Sequence, residues 1–259
     1  MRDIRTLDIK EIERFIADHG EKKFRAQQIY QWIWNKHVDS LDAMTDVPIS
    51  LRQLLKQHFF LSHIHIVQKQ MSSDGTIKVA FSLSDGEMIE GVLIPSGNRL
   101  TACISVQAGC PLKCLFCATG SIKYKRNLSC AEIVDQVILL NRTAAEQGKN
   151  KISNIVIMGM GEPLLNYDAV KCAMHKITSP DIMGMSPSRI TLSTAGITEN
   201  IIRMADEAIG CNLAISLHTA DARQREILMP VSKSNPLPTL AEAIIYYHKK
   251  KQKRVTFEY

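Results

Sequence analysis

Apolar residues between positions 6 and 60 recur at helical spacing, and Ile9, Ile12, Phe15 and Ile16 form the first such face. Asp8 stands at its N-cap with Glu11 at the capping-box position, and Gly20 closes the helix. A second helix carries Phe24, Ile29, Trp32 and Ile33, and a third, after Pro48, carries Leu51, Leu54, Leu55 and Phe59. From about 62 to 94 the period becomes two. Ile64 and Ile66 alternate with His63 and His65, and Ile77, Val79, Phe81 and Leu83 alternate with polar neighbours. Asp74-Gly75 and Asp85-Gly86 mark hairpin turns, so a three-stranded antiparallel meander is expected. His63 and His65 then form the polar side of an edge strand rather than a metal pair. From 101 onward strands near 101–107, 152–158, 189–194, 211–217 and 253–259 alternate with helices near 129–147, 167–178, 198–206 and 239–251. That alternation predicts a parallel sheet with helices on its outer face.

The expected organisation is a helical domain over 1–60, the meander over 61–97 and the strand–helix region over 98–259. A chain of 259 residues can bury a core of this size. The net charge of +6 is compatible with a polyanionic partner. Seven irregularly spaced cysteines and a polar N-terminus suit a reducing cytoplasmic setting, and no apolar run reaches the roughly 18 residues of a membrane span.

Three cysteines sit within Cys110-Pro-Leu-Lys-Cys114-Leu-Phe-Cys117. One short loop with this spacing can wrap an iron–sulfur cluster and leave one iron open to chelate a small molecule. Structural zinc would need a fourth ligand, with Cys103 and Cys130 nearest in sequence, and unliganded core thiols are a third reading. Glu90 lies in an otherwise apolar run, on the strand face that carries Met88, Val92 and Ile94. A desolvated carboxylate there would have raised proton affinity and serve as a general base; an edge charge leaning to solvent is the alternative. Lys113, Lys123, Lys125 and Arg126 crowd the cysteine loop as a possible phosphate-binding rim. Lys22, Lys23 and Arg25 lie at the joint of the first two helices, either as a solvated face or as phosphate contacts. The run Lys249 to Arg254 reads as a solvated helix end.

The C-x-x-x-C-x-x-C loop after a strand resembles the radical S-adenosylmethionine (SAM) superfamily. With Glu90-Gly-Val-Leu-Ile-Pro95, Met158-Gly-Met-Gly-Glu-Pro163, Leu192-Ser-Thr-Ala-Gly196 and Ile215-Ser-Leu-His218, the chain is similar over nearly its whole length to the RlmN family. That family methylates carbon 2 of adenine in 23S rRNA and in some tRNAs. The stretch Cys117-Ala-Thr-Gly120 also resembles the sister family, Cfr, which methylates carbon 8.

The resemblance implies an α/β fold: a partial (βα)6 radical SAM barrel, truncated within strand five, after a helical domain that helps hold RNA and the meander. It implies a 4Fe-4S cluster on Cys110, Cys114 and Cys117, and SAM held by Gly161, Glu162, Ser193, Ser216, Leu217 and His218. It places the proton-accepting carboxylate at Glu90, and at Cys103 the cysteine that resolves a covalent RNA–enzyme intermediate through a transient disulfide. Cys130, Cys172 and Cys211 match no motif and are expected to pack. Implied partners are 23S rRNA, tRNA and an electron donor such as flavodoxin, for a monomer. The alternatives are carbon-8 methylation and a non-catalytic, metal-stabilised RNA-binding fragment. The family's methyl-accepting cysteine is distal, and none follows Cys211 here. The chain as written is therefore expected to be a fragment with an exposed apolar edge near Val255–Tyr259, able to cleave SAM slowly but not to methylate RNA.

Overall fold

The computed structural model describes residues 1–207 and 209–259. They form two compact units, one of residues 1–63 and 175–185, the other of residues 64–174 and 186–259.

The smaller unit is built on three helices: α1 (Ile9–Asp18), α2 (Phe24–Trp34) and α3 (Ile49–His58). The Asp8 carboxylate accepts from the Glu11 N–H at 2.7 Å, and the Asp8 N–H donates back to Glu11 at 2.8 Å. This reciprocal cap satisfies two of the donors that a helix start leaves open. Helix α2 buries Ala26, Ile29, Ile33 and Trp34. Phe24, expected in that core, is exposed, and Trp32 instead lies under the Lys36 ammonium, 3.4 Å from its ring centroid. The stripe runs through 26, 29 and 33, so Trp34 rather than Trp32 completes it. Lys176 places its ammonium 4.3 Å from the Tyr30 ring and 4.1 Å from Trp34.

The larger unit holds one eight-stranded mixed sheet. Its strands are β1 (His65–Met71), β2 (Ile77–Ser82), β3 (Met88–Ser96), β4 (Arg99–Cys103), β5 (Asn154–Ile157), β6 (Ile190–Thr194), β7 (Asn212–Ser216) and β8 (Val255–Glu258). They lie side by side in chain order. β1 to β4 pair antiparallel and β4 to β8 parallel, so the meander and the strand–helix region share one hydrogen-bonded sheet through β4. The parallel pairings need long crossovers, supplied by α4 (Cys130–Glu146), α5 (Tyr167–Thr178), α6 (Thr198–Asp206), α7 (Ala222–Leu228) and α8 (Leu237–Lys251).

One sheet face is the core, with Phe81, Ile89, Leu93, Ile155, Leu192 and Leu213 buried. The opposite face carries half-buried Thr101, Cys103, Val156, Thr191 and Ser216. A Cβ on Gly91 would meet Phe81 at 2.9 Å and Leu140 of α4 at 3.4 Å, so β3 approaches its covering helix through a residue without a side chain. The edge strand β8 leaves Phe257 half-exposed.

Two expectations change here. Cys130 and Cys172, expected as separate packing residues, are joined as a disulfide between α4 and α5, with Cα atoms 5.7 Å apart. The basic run at the end of α8 is not merely solvated: the Lys251 and Lys253 ammoniums donate to the carbonyls of Glu207 and Gly210. Helix α7 was not foreseen, since its seven residues lack an apolar stripe; Asp221 caps it by accepting from the Gln224 N–H at 2.8 Å.

Candidate cofactor cavity at the strand ends

Parallel strands joined by helices end on the same side, and ligand sites of such sheets lie at the carboxyl ends. A cavity of about 250 Å³ opens there. Cys110, Cys114, Cys117 and Phe116 reach it from the loop after β4, Met158, Gly159, Gly161 and Glu162 from the loop after β5, and Ser193 to Ala195 from β6. Ser216 and His218 line it from β7 and Glu258 from β8.

The cysteine loop is tightly wound. Lys113 takes a left-handed φ of +54°, and Cys117 N–H donates to the Cys114 carbonyl at 3.1 Å. A Cβ on Gly120 would stand 2.6 Å from the Cys114 oxygen, so only glycine lets the following turn close on the loop. Leu115 N–H donates to the Leu228 carbonyl at 2.9 Å and ties the loop to α7. Burial pushes the Cys110 thiol up, and burial together with the neighbouring Cys110 and Cys117 sulfurs pushes Cys114 up to about 11. Gathering three thiolates here is unfavourable without a cation, which suits a metal-containing core.

Among the described residues no three ligating side chains converge as they would on one ion. A cluster makes no such demand, because each thiolate binds a different iron. Structural zinc does make it, and the candidates for its fourth ligand are elsewhere: Cys103 does not line the cavity and Cys130 is paired with Cys172. The donor set therefore fits an iron–sulfur cluster better than zinc.

Glu162 faces the thiols from a fully buried position. Its carboxylate accepts from Leu164 N–H at 2.9 Å, Thr194 Oγ1 at 2.7 Å and Ala195 N–H at 2.8 Å. A carboxylate has roughly four acceptor sites. Two of these bonds go to Oε1 and one to Oε2, so Oε2 retains capacity for one further donor from the cavity. Burial raises the Glu162 pKa against these three bonds. Gly161 at φ +99° allows the turn, and a Cβ there would lie 2.4 Å from Gln107. Across the cavity the Ser193 and Ser216 hydroxyls donate to the Glu258 carboxylate at 3.2 and 3.1 Å. Leu217 and His218 N–H donate to the Glu258 carbonyl at 3.0 and 2.9 Å, and the His218 ring meets Phe116 edge-on with centroids 4.3 Å apart.

The structure thus gathers Cys110, Cys114, Cys117, Gly161, Glu162, Ser193, Ser216 and His218 around one cavity. Leu217 stands just behind it, through its backbone. Cys103 and Glu90 lie outside the lining, although the Met158 backbone N–H reaches the Cys103 sulfur. Val92 pairs with Cys103, so Glu90, two residues from Val92, shares its sheet face with Cys103.

Two sequence readings are corrected. Glu90 is not desolvated: its face is the open one, its side chain is 49% exposed, and it pairs with Lys78 at 3.0 Å. Apolar neighbours in sequence do not bury a side chain on an uncovered face. The cationic rim is also reduced, because Lys125 pairs with Glu87 at 2.8 Å and Arg126 with Asp85 at 2.5 Å and Glu132 at 2.8 Å. Sequence reasoning missed Ser105, Gln107 and Glu258. The Ser105 hydroxyl donates to the Glu90 carbonyl at 2.6 Å and accepts from Met160 N–H at 2.8 Å, and Gln107 accepts from Glu162 N–H at 2.9 Å. In sequence all three are ordinary polar members of a strand, with no spacing to mark them.

A family model described as the ribosomal RNA large subunit methyltransferase N-terminal domain matches residues 2–61, and the radical SAM superfamily model matches 104–259. A probable dual-specificity RNA methyltransferase RlmN from Christiangramia forsetii is 45% identical over 258 residues, covering 100% of this chain and 73% of that protein. A counterpart from Cytophaga hutchinsonii is 46% identical over 256 residues, covering 99% and 70%. The crystal structure of a radical SAM methyltransferase from Sphaerobacter thermophilus superposes with a TM-score of 0.90 at 37% identity, covering 100% of this chain and 76% of that one.

Proposed function

We propose an activity from one premise: this chain belongs to the RlmN family of radical SAM RNA methyltransferases. The activity is methylation of carbon 2 of adenine in 23S rRNA and tRNA. The observation that carries it is the cavity where three thiols face the Gly-Met-Gly-Glu turn. Adenine carbon 2 is a poor nucleophile, so ordinary methyl transfer is disfavoured. When bound, the 4Fe-4S cluster and SAM supply the radical chemistry that such a carbon needs.

In this reading Cys110, Cys114 and Cys117 hold the cluster. The free acceptor capacity of Glu162 Oε2 receives the ammonium of SAM, a charge-assisted contact in a water-poor site. Glycine at 159 and 161 lets the backbone approach the ligand. Ser193, Ser216 and the backbone at Leu217–His218 lie beside its polar groups, and their hydroxyls and amides become available to it as Glu258, which holds them here, releases them. Glu90 accepts the proton removed from the adenine ring, which requires Lys78 to release it. Cys103 is the resolving thiol. Burial raises its pKa, so it rests protonated and unreactive.

Anaerobic reconstitution tests the proposal. Four irons and four sulfides per chain, with SAM converted to 5′-deoxyadenosine, are expected. In a protein that also carries the family's methyl-accepting cysteine, methyladenosine in the RNA digest is expected at carbon 2. Carbon 8 would assign the sister activity, and one tight zinc without SAM cleavage would leave an RNA-binding module.

The RNA contact has its own test. Lys22 and Lys23 are exposed, whereas Arg25 is engaged with Gln28 at 2.7 Å and the Asp46 carbonyl at 3.0 Å. Reversing Lys22 and Lys23 to Glu is expected to flatten the salt dependence of RNA binding by about one unit of slope per lost phosphate contact. An unchanged slope in filter binding across a salt series returns both lysines to a solvated face.

A further inference from the structure

Arg225 in α7 is fully buried. Its guanidinium donates to the Ala195 carbonyl at 2.8 Å, the Ser216 carbonyl at 3.1 Å, the Leu217 carbonyl at 3.3 Å and the Ser232 hydroxyl at 2.7 Å. All four partners are neutral oxygens. Among the described residues no carboxylate lends it negative charge, and the group whose charge reaches it is the Cys114 sulfur. A buried charge is costly unless paired, and neutral acceptors satisfy the donors without supplying the missing counter-charge. The burial itself disfavours the cation. Yet the position is anchored from two sides. Its carbonyl partners follow the cavity-lining ends of β6 and β7, and Leu228 of the same helix holds the cysteine loop at Leu115.

We propose that Arg225 is the counter-charge of the iron–sulfur cluster and a positioning residue that sets its reduction potential. The proposal rests on the reading that Cys110, Cys114 and Cys117 hold that cluster. Three thiolates give the site the negative charge that the guanidinium lacks. Each electron added makes the cluster more negative, so a fixed cation beside it favours the reduced form. Net charge is one of the levers that set such potentials. The same charge left without its partner penalises the metal-free chain.

The test is a redox titration of the reconstituted chain, with the reduced cluster read by electron paramagnetic resonance. Arg225→Met removes the charge and keeps much of the volume. It is expected to make cluster reduction about tenfold less favourable, a shift of about 59 mV to more negative potential for one electron. Arg225→Lys keeps the charge but loses the fork of hydrogen bonds. It is expected to hold the parent potential while lowering the denaturation midpoint of the metal-free chain. An unchanged potential in loaded Arg225→Met, or an equal negative shift in Arg225→Lys, overturns the proposal and leaves Arg225 a brace for the strand ends. Where Arg225→Met does not fold, Arg225→Gln, which also removes the charge, is read by the same criterion. If the unsubstituted chain binds no iron and sulfide, the cluster assignment fails and takes this inference with it. If it loads normally and the potential of the charge-removing variant does not move, this inference fails alone.

Discussion

Replacing any one of Cys110, Cys114 or Cys117 with Ala abolishes the brown iron–sulfur chromophore and the cleavage of SAM together. The cavity offers no substitute thiol: Cys103 and Cys211 are not in its lining, and Cys130 and Cys172 are bonded to each other. Two thiolates would leave a second iron without a protein ligand, and the cluster's hold on the loop would fail. The fold should survive. The three thiols are only partly buried, and outside the core such substitutions shift stability by about 0.5 kcal/mol. Unchanged far-ultraviolet circular dichroism with lost visible absorbance is therefore the expected pattern. A triple Ala variant that still yields 5′-deoxyadenosine would remove the cluster from this loop.

Glu162→Gln is expected to weaken SAM binding by tenfold or more and to destabilise the chain by about 1–3 kcal/mol. The amide keeps one oxygen but presents an N–H₂ toward the Ala195 N–H or toward the Thr194 and Leu164 donors. Either orientation sets donor against donor at a buried position. The missing charge also removes the acceptor that an ammonium would choose. Denaturant titration with and without SAM separates the two effects.

The pH dependence has a definite sign. Burial raises the Glu162 pKa, so its contribution favours the fold below the unfolded value of about 4.3 and is lost as pH rises through the folded value. Glu162→Gln lacks this slope. The stability gap between parent and variant should be widest in acid and narrow as the pH rises. A gap that widens with pH would mean that Glu162 is held as a favourable carboxylate by its three donors.

Much of this molecule is legible in its sequence. The capping box at Asp8 and Glu11, the two Asp-Gly hairpins and the strand–helix alternation are written in short-range chemistry, and they appear where the pattern places them. The cysteine loop, Glu162, Ser193, Ser216 and His218 were also marked in sequence, by motifs at strand ends, and parallel topology carries every such end to one side of the sheet.

Tertiary structure decided what local pattern cannot contain. Glu90 sits among Met88, Val92 and Ile94, but whether that face is covered depends on α4 packing against the other side. Cys130 and Cys172 meet because two helices separated by a strand pack side by side. Arg225 gives no sequence signal, because a buried cation and a solvated one look alike on a seven-residue helix. Periodicity reports which side chains share a face. Burial, pairing and counter-charge depend on what another segment brings to that face, and that is fixed only when the chain has closed.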